Sequence, residues 1–146
     1  MDENFGFVPD TANPGWQVRP ASHEGYFLDL FGTMRLRVES DGKVRIRLDP
    51  QRHHRNLNET LHGGFVMAFF DQAMFIGPAA LGIKGPIGGI TIDTATQFFG
   101  SLLVDKPLDA VVEILRETGR MIFMRGVVEQ DGVAAVAFSG TIKKAR

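Results

Sequence analysis

The chain has 146 residues, one domain's worth, and its 44% hydrophobic and 23% charged residues exclude a disordered protein. Sixteen basic and 17 acidic residues give a formal net charge of −1, which excludes the basic footprint of a general nucleic-acid binder and any drive toward an anionic membrane. There is no cysteine, so disulfides, thiolate metal sites and a cysteine nucleophile are excluded as well.

Residues 1–25 carry Pro9, Pro14, Pro20, Gly6, Gly15 and Gly25 and read as an irregular arm with Trp16 as its anchor. Their opening, MDENFGFVPD, is acidic and lacks the basic-then-apolar order of a secretory signal; with the absence of cysteine this suits a cytoplasmic protein. Residues 26–146 are expected to form a single domain. In Thr33–Asp49, Met34, Leu36 and Val38 alternate with Arg35, Arg37 and Glu39, and Val44, Ile46 and Leu48 alternate with Arg45 and Arg47. That period of two predicts a hairpin. A two-residue Asp41-Gly42 loop would set Val38 against Arg45. A three-residue loop, Ser40 to Gly42 with Gly42 left-handed, pairs Val38 with Val44 and Leu36 with Ile46, and is the register expected. It places Glu39 opposite Lys43, Arg37 beside Arg45 and Arg35 beside Arg47. Four arginines then share one face, which is unfavourable unless anions answer them. The phosphates of a nucleotide ligand or carboxylates of a neighbouring subunit would do so.

A polar loop, Pro50 to Leu61, leads into an apolar run from about Gly63 to Ala80. The stretch Gly63 to Ile83 is long enough to cross a bilayer. Asp71 and Gln72 near its middle and Pro78, which would break a span, argue instead for a buried helix, apolar on nearly all sides. A glycine-rich connector, Gly82 to Gly89, precedes four strand-like runs: Ile90 to Phe99, Asp109 to Glu117, Met121 to Glu129 and Val133 to Lys143. Thr118-Gly119-Arg120 and Gln130-Asp131-Gly132 are turns between the last three. The order β-β-α-β-β-β-β implies an α+β fold, an antiparallel sheet with one helix packed on it.

The segment RNLNETLHGGFVMAFFD, Arg55 to Asp71, resembles the signature of hotdog-fold acyl-CoA thioesterases of the phenylacetate-pathway (PaaI-like) type. The matching features are Asn56, His62-Gly63-Gly64 six residues on, and Asp71 nine residues past the histidine. The strand GITIDTATQFF is similar to the family strand after the helix, with Thr91 where relatives carry Ser or Thr near the active site. The resemblance implies the hotdog fold, a curved antiparallel sheet wrapped around one long central helix, and acyl-CoA as the substrate, with active sites shared in a homodimer or a dimer of dimers. It implies no cofactor, no nucleic acid and no membrane partner. Glu59 where a small residue is usual, a long connector, Ala95 in place of Asn, and the unmatched arm bear on substrate range.

The residue types suit the chemistry. Thioester hydrolysis needs a polarised carbonyl and an activated water. A helix amino terminus offers unpaired N–H groups and a positive dipole end, and Gly63 or Gly64 there lets an oxygen approach the backbone. Asp71 on an apolar helix is expected to have its pKa raised by desolvation, as a general base requires. Asn56 would hold the water or the carbonyl, and Thr91 would hydrogen-bond Asp71 or that water. Gly63 and Asp71 lie eight residues apart, about 12 Å along a helix, so one thioester carbon cannot approach both in one chain. Structural alternatives stand beside these roles. The glycines could serve packing, and Asp71 could be a paired structural carboxylate. His62 is expected to belong to the catalytic group with Asp71, Asn56, Gly63 and Thr91; it could instead cap the helix or, with His53 and His54, hold a metal, although the spacing fits no familiar metal site. Gly64, Arg37 and Arg45 are the residues expected to contact substrate. The rival reading is a non-catalytic acyl-CoA-binding hotdog module.

Overall fold

The computed structural model describes residues 4–146; Met1, Asp2 and Glu3 of the arm lie outside the described residues. The elements are β1 (Val8–Pro9), β2 (Gln17–Arg19), β3 (Met34–Val38), β4 (Val44–Leu48), α1 (Gly63–Ala80), β5 (Ile90–Phe98), β6 (Leu108–Glu117), β7 (Met121–Gln130) and β8 (Val133–Lys143), with 3-10 turns at Phe27–Phe31 and Arg52–His54. The strands form one eight-stranded antiparallel sheet in the order β1-β2-β3-β4-β6-β7-β8-β5. It wraps around α1, the hotdog arrangement.

The hairpin pairs as its alternation requires, Val38 with Val44 and Leu36 with Ile46. Gly42 sits at φ +83° and closes the loop, a conformation that a side chain would disfavour. Met34, Leu36, Val44, Ile46 and Leu48 are all buried beneath the sheet. The helix contributes Phe65, Val66, Phe69, Phe70, Ala73, Met74 and Ile76 to the same core. Phe70 stacks on Phe138 of β8 with ring centroids 4.6 Å apart. Helix and sheet touch so closely at Gly140 that a Cβ there would lie 2.4 Å from the Met74 sulfur. Pro78 does not break the helix. It lies in the last turn, where it removes one hydrogen bond, and its carbonyl accepts from Leu81 and Ile83 as the chain leaves. No helix of the described residues is long and apolar enough to cross a membrane.

The arm is not irregular as expected. Its β1 and β2 extend the sheet at the β3 edge, with Val18 opposite Arg35. Phe5 and Phe7 are buried in the core. Asp10, itself buried, accepts from Arg35 at 2.8 Å and from Asn13 at 2.8 Å. Trp16 lies under two guanidinium groups, Arg37 at 4.5 Å and Arg47 at 5.0 Å from the ring centroid. Proline and glycine punctuation had masked these pairings, which depend on partners far along the chain.

Candidate active site

Asp71 lies midway along α1, on the stripe that the sheet does not cover. Gly64 and Met67 on that stripe are exposed; Ala68, Asp71, Gln72, Phe75 and Ala79 are half-buried. The helix is therefore open along one side, and Asp71 is less buried in the single chain than expected. Thr91 Oγ1 donates to Asp71 Oδ1 at 2.7 Å. A β-bulge aims that hydroxyl. Thr91 pairs with Ile142 and Asp93 with Thr141, so Ile92 is an extra residue. Strict alternation would put Thr91 and Thr94 on opposite faces; the bulge lets both face the helix, and Ile90 and Ile92 are left exposed.

At the start of α1, His62 is the N-cap, and its Nδ1 accepts from Gly64 N–H at 2.9 Å. The His62 N–H donates to His54 O. Among the described residues, Gly63 N–H meets no protein acceptor, so it is an available donor at the positive end of the helix. Of the two glycines, Gly63 thus keeps its N–H for an incoming oxygen, while that of Gly64 is occupied. The Asn56 side chain organises its own loop: Oδ1 accepts from Asn58 N at 2.8 Å and Thr60 N at 3.2 Å, and Nδ2 donates to Thr60 Oγ1 at 3.0 Å. Glu59 in that loop has φ +63°, a backbone conformation that favours Gly or Asn. The helix is unbroken from Gly63 to Ala80, so the Gly63 and Asp71 ends stay about 12 Å apart.

The sequence model of the thioesterase superfamily matches residues 58–137, more than half of the chain and all of the helix just described. The chain belongs to the thioesterase superfamily. Among solved structures it is similar to RHA08564, a thioesterase superfamily protein (22% identity, TM-score 0.65, 76% of this chain and 53% of that one). It is also similar to a mutant of the phenylacetic acid degradation protein PaaI from Thermus thermophilus (21%, 0.66, 82% and 98%). A third is a hypothetical thioesterase with coenzyme A from Streptococcus pneumoniae (16%, 0.69, 81% and 90%). The chain spans about half the length of the first of these. No curated protein sequence matches it. The hotdog fold and the thioesterase family read from residues 55–71 therefore stand.

In this thioesterase-superfamily chain the arginine face lies on the outer side of β3 and β4, away from the helix. Its anions come from the same chain. Arg45 reaches Glu39 (2.5 Å), Asp109 (2.7 Å) and Glu129 (2.6 Å), and Arg47 reaches Asp109 at 2.7 Å. Arg37 reaches Glu39 at 3.0 Å. Burial alone would lower the Arg45 pKa, but its hydrogen bonds to Glu129, Glu39 and Asp109 hold it above the ordinary value. Arg37 and Arg45, expected to contact substrate, are thus engaged within the chain.

Sequence reasoning names His54 only as a candidate metal ligand and misses its supporting role. His54 is buried and stacked on Phe65 at 3.8 Å. Its Nδ1 accepts from Gln51 N–H, Nε2 donates to Leu30 O at 2.8 Å, and its carbonyl holds His62. Burial pushes its pKa below the usual histidine range. Its neighbour His53 has no such setting, and nothing in the sequence separates the two.

Proposed function

We propose that the chain hydrolyses acyl-CoA thioesters to free acid and CoA, as a homodimer or dimer of dimers in the cytoplasm. The observation that carries this is the Thr91–Asp71 hydrogen bond on an open helix face, about 12 Å from an unused N–H at Gly63. Thr91 occupies Oδ1 and leaves Oδ2 to take a proton from water. The water oxygen bonds to the thioester carbon, and the resulting oxyanion accepts from Gly63 N–H. The C–S bond then breaks, and the departing thiolate recovers the proton from Asp71, leaving acid and CoA thiol. His62 fixes the first turn, and Asn56 shapes the loop before it. The CoA complex of the similar Streptococcus protein supports the substrate class.

The distance requires Gly63 and Asp71 of different subunits to meet. The open stripe of α1 suits a second copy of the chain. So does β5, which among the described residues is an edge strand paired with β8 alone, with Ile92 50% and Phe98 48% exposed. Asp71→Asn removes the base. Gly63→Pro removes the donor while keeping the helix, since proline is favoured at its first position and His62, at φ −65° and ψ 130°, already has the backbone that proline demands before it. Each homodimer should be nearly inactive. Random co-assembly of the two variants should restore about a quarter of wild-type thiol release, because half the dimers are mixed and each has one intact site. If mass spectrometry shows mixed dimers and activity stays at the single-variant level, the shared site is wrong. Tight binding of acyl-CoA without turnover would favour the binding-module reading.

A further inference from the structure

A cavity of about 790 Å³ is lined by chain neighbours of Asp71 and Thr91; its lining includes Arg19, Tyr26 and Phe27 from the arm side, Gln72 and Phe75 from α1, and Ile87 from the connector. Gln72 follows Asp71 directly, and Phe75 is one helical turn beyond it. Gly89, also at the cavity, is two residues before Thr91. The arm-side residues fall outside the 58–137 stretch matched by the superfamily. Tyr26 and Phe27 are 60% and 65% exposed, apolar surface that a folded chain seldom leaves bare without a partner.

We propose that residues 19–28 are the acyl-selecting wall of the site, and that Arg19 receives a neutral oxygen acceptor carried near the far end of an otherwise apolar acyl group. This rests on the thioesterase reading above. A thioester has two ends, and the lining decides between them. The CoA end brings several phosphates, whereas this cavity has one cation, Arg19, and an exposed Glu24. Aromatic and aliphatic walls suit the acyl end.

Arg19 is underused by the chain. Among the described residues it forms no ion pair; Nη2 donates to Ser22 Oγ at 3.3 Å, and Nη1 is buried without an acceptor. A guanidinium has five N–H donors, so capacity remains for a ligand. Asp29 forms no direct hydrogen bond to Arg19; it accepts the Ser22 hydroxyl, its charge acts on Arg19 through space, and it accepts from Gly25 N–H at 2.8 Å and so fixes the wall. Glu24 disfavours a carboxylate-tipped acyl group and leaves a hydroxyl or keto oxygen as the match.

The test uses the full chain with acetyl-CoA, octanoyl-CoA and the octanoyl analogue with a keto group beside the terminal methyl. Thiol release gives kcat/KM, and calorimetry gives the affinity of the matching non-hydrolysable thioethers. Wild type should favour the keto analogue over octanoyl about tenfold, as for one hydrogen bond to a charged group. Arg19→Met should erase that preference. Ala21→Trp, at an exposed lining position, fills the cavity and should lower the octanoyl-to-acetyl ratio roughly tenfold or more, as an overfilled pocket does. Unchanged ratios in both variants, or no keto preference in wild type, would overturn the proposal while leaving the thioesterase reading intact. Failure to release thiol from any ester sinks that reading instead. The thioether affinities then decide the wall: graded and variant-sensitive binding supports it, and flat binding overturns it.

Discussion

Two polar regions of this molecule are built in opposite ways. On the outer face of β3, β4 and β6, four arginines meet Asp10, Glu39, Asp109 and Glu129, and every cation has a carboxylate of the same chain. On the open side of α1 and β5, a carboxylate has a single hydroxyl partner, a helix-tip N–H has none, and large apolar side chains lie bare. In the first region every arginine has a carboxylate of the same chain, although Arg37 Nε is buried without an acceptor, and the cluster ties the sheet to the arm. The second leaves these groups short of partners among the described residues. On the thioesterase proposal the ligand is sought at the sparse face rather than in the dense charge cluster.

The contrast breaks most directly at Asp71. Asp71→Asn should lower kcat by roughly 100-fold or more, as for loss of a general base. Its urea midpoint should move little, because the group is half-exposed and makes one side-chain hydrogen bond. Near-full turnover by the folded variant would remove Asp71 from the chemistry. Asp109→Asn tests the other side. Its carboxylate is 5% exposed and serves both Arg45 and Arg47. The loss should be about 2–3 kcal/mol of unfolding free energy, below the ~3–5 of a fully buried pair because Arg47 is partly exposed. kcat of the folded variant should hold. A large activity loss without a stability loss would reverse the assignment.

A smaller effect should appear with pH. The folded-state pKa of His54 lies below its unfolded value, so the unfolded chain binds the proton first as pH falls. Its stability contribution is complete above the ordinary histidine range, about 6.5, and is lost as pH drops toward the folded value. The urea midpoint should decline from pH 7.5 to 5.5, and less so in His54→Gln; parallel slopes would show that His54 is not the group responsible. The smallest change is expected for Arg37→Ala. With its charge answered by Glu39 and its face on Trp16, its loss should cost about 0.5–1 kcal/mol and leave KM for acyl-CoA within roughly twofold. A salt-dependent rise in KM would show that the arginine face meets substrate after all.

The amino-acid sequence by itself determined the hairpin register, the helix from Gly63 and the chain order of the last four strands. These follow from period-two alternation, turn residues and local spacing, all properties of neighbours along the chain. The candidate site segment from Asn56 to Asp71 was legible through its resemblance to a known family. Only the tertiary structure decided which groups were left unfinished. The bulge at Ile92 turns Thr91 toward Asp71, against the alternation that would face Ile90 and Ile92 inward. His62 takes the Gly64 N–H and singles out Gly63, and His54 rather than His53 is buried beneath the helix tip. Asp109 and Glu129, more than 60 residues from the arginines they answer, supply anions that the hairpin sequence alone did not reveal. A residue's type fixes which bonds it can make. Which partner reaches it first depends on chain segments that only folding brings together.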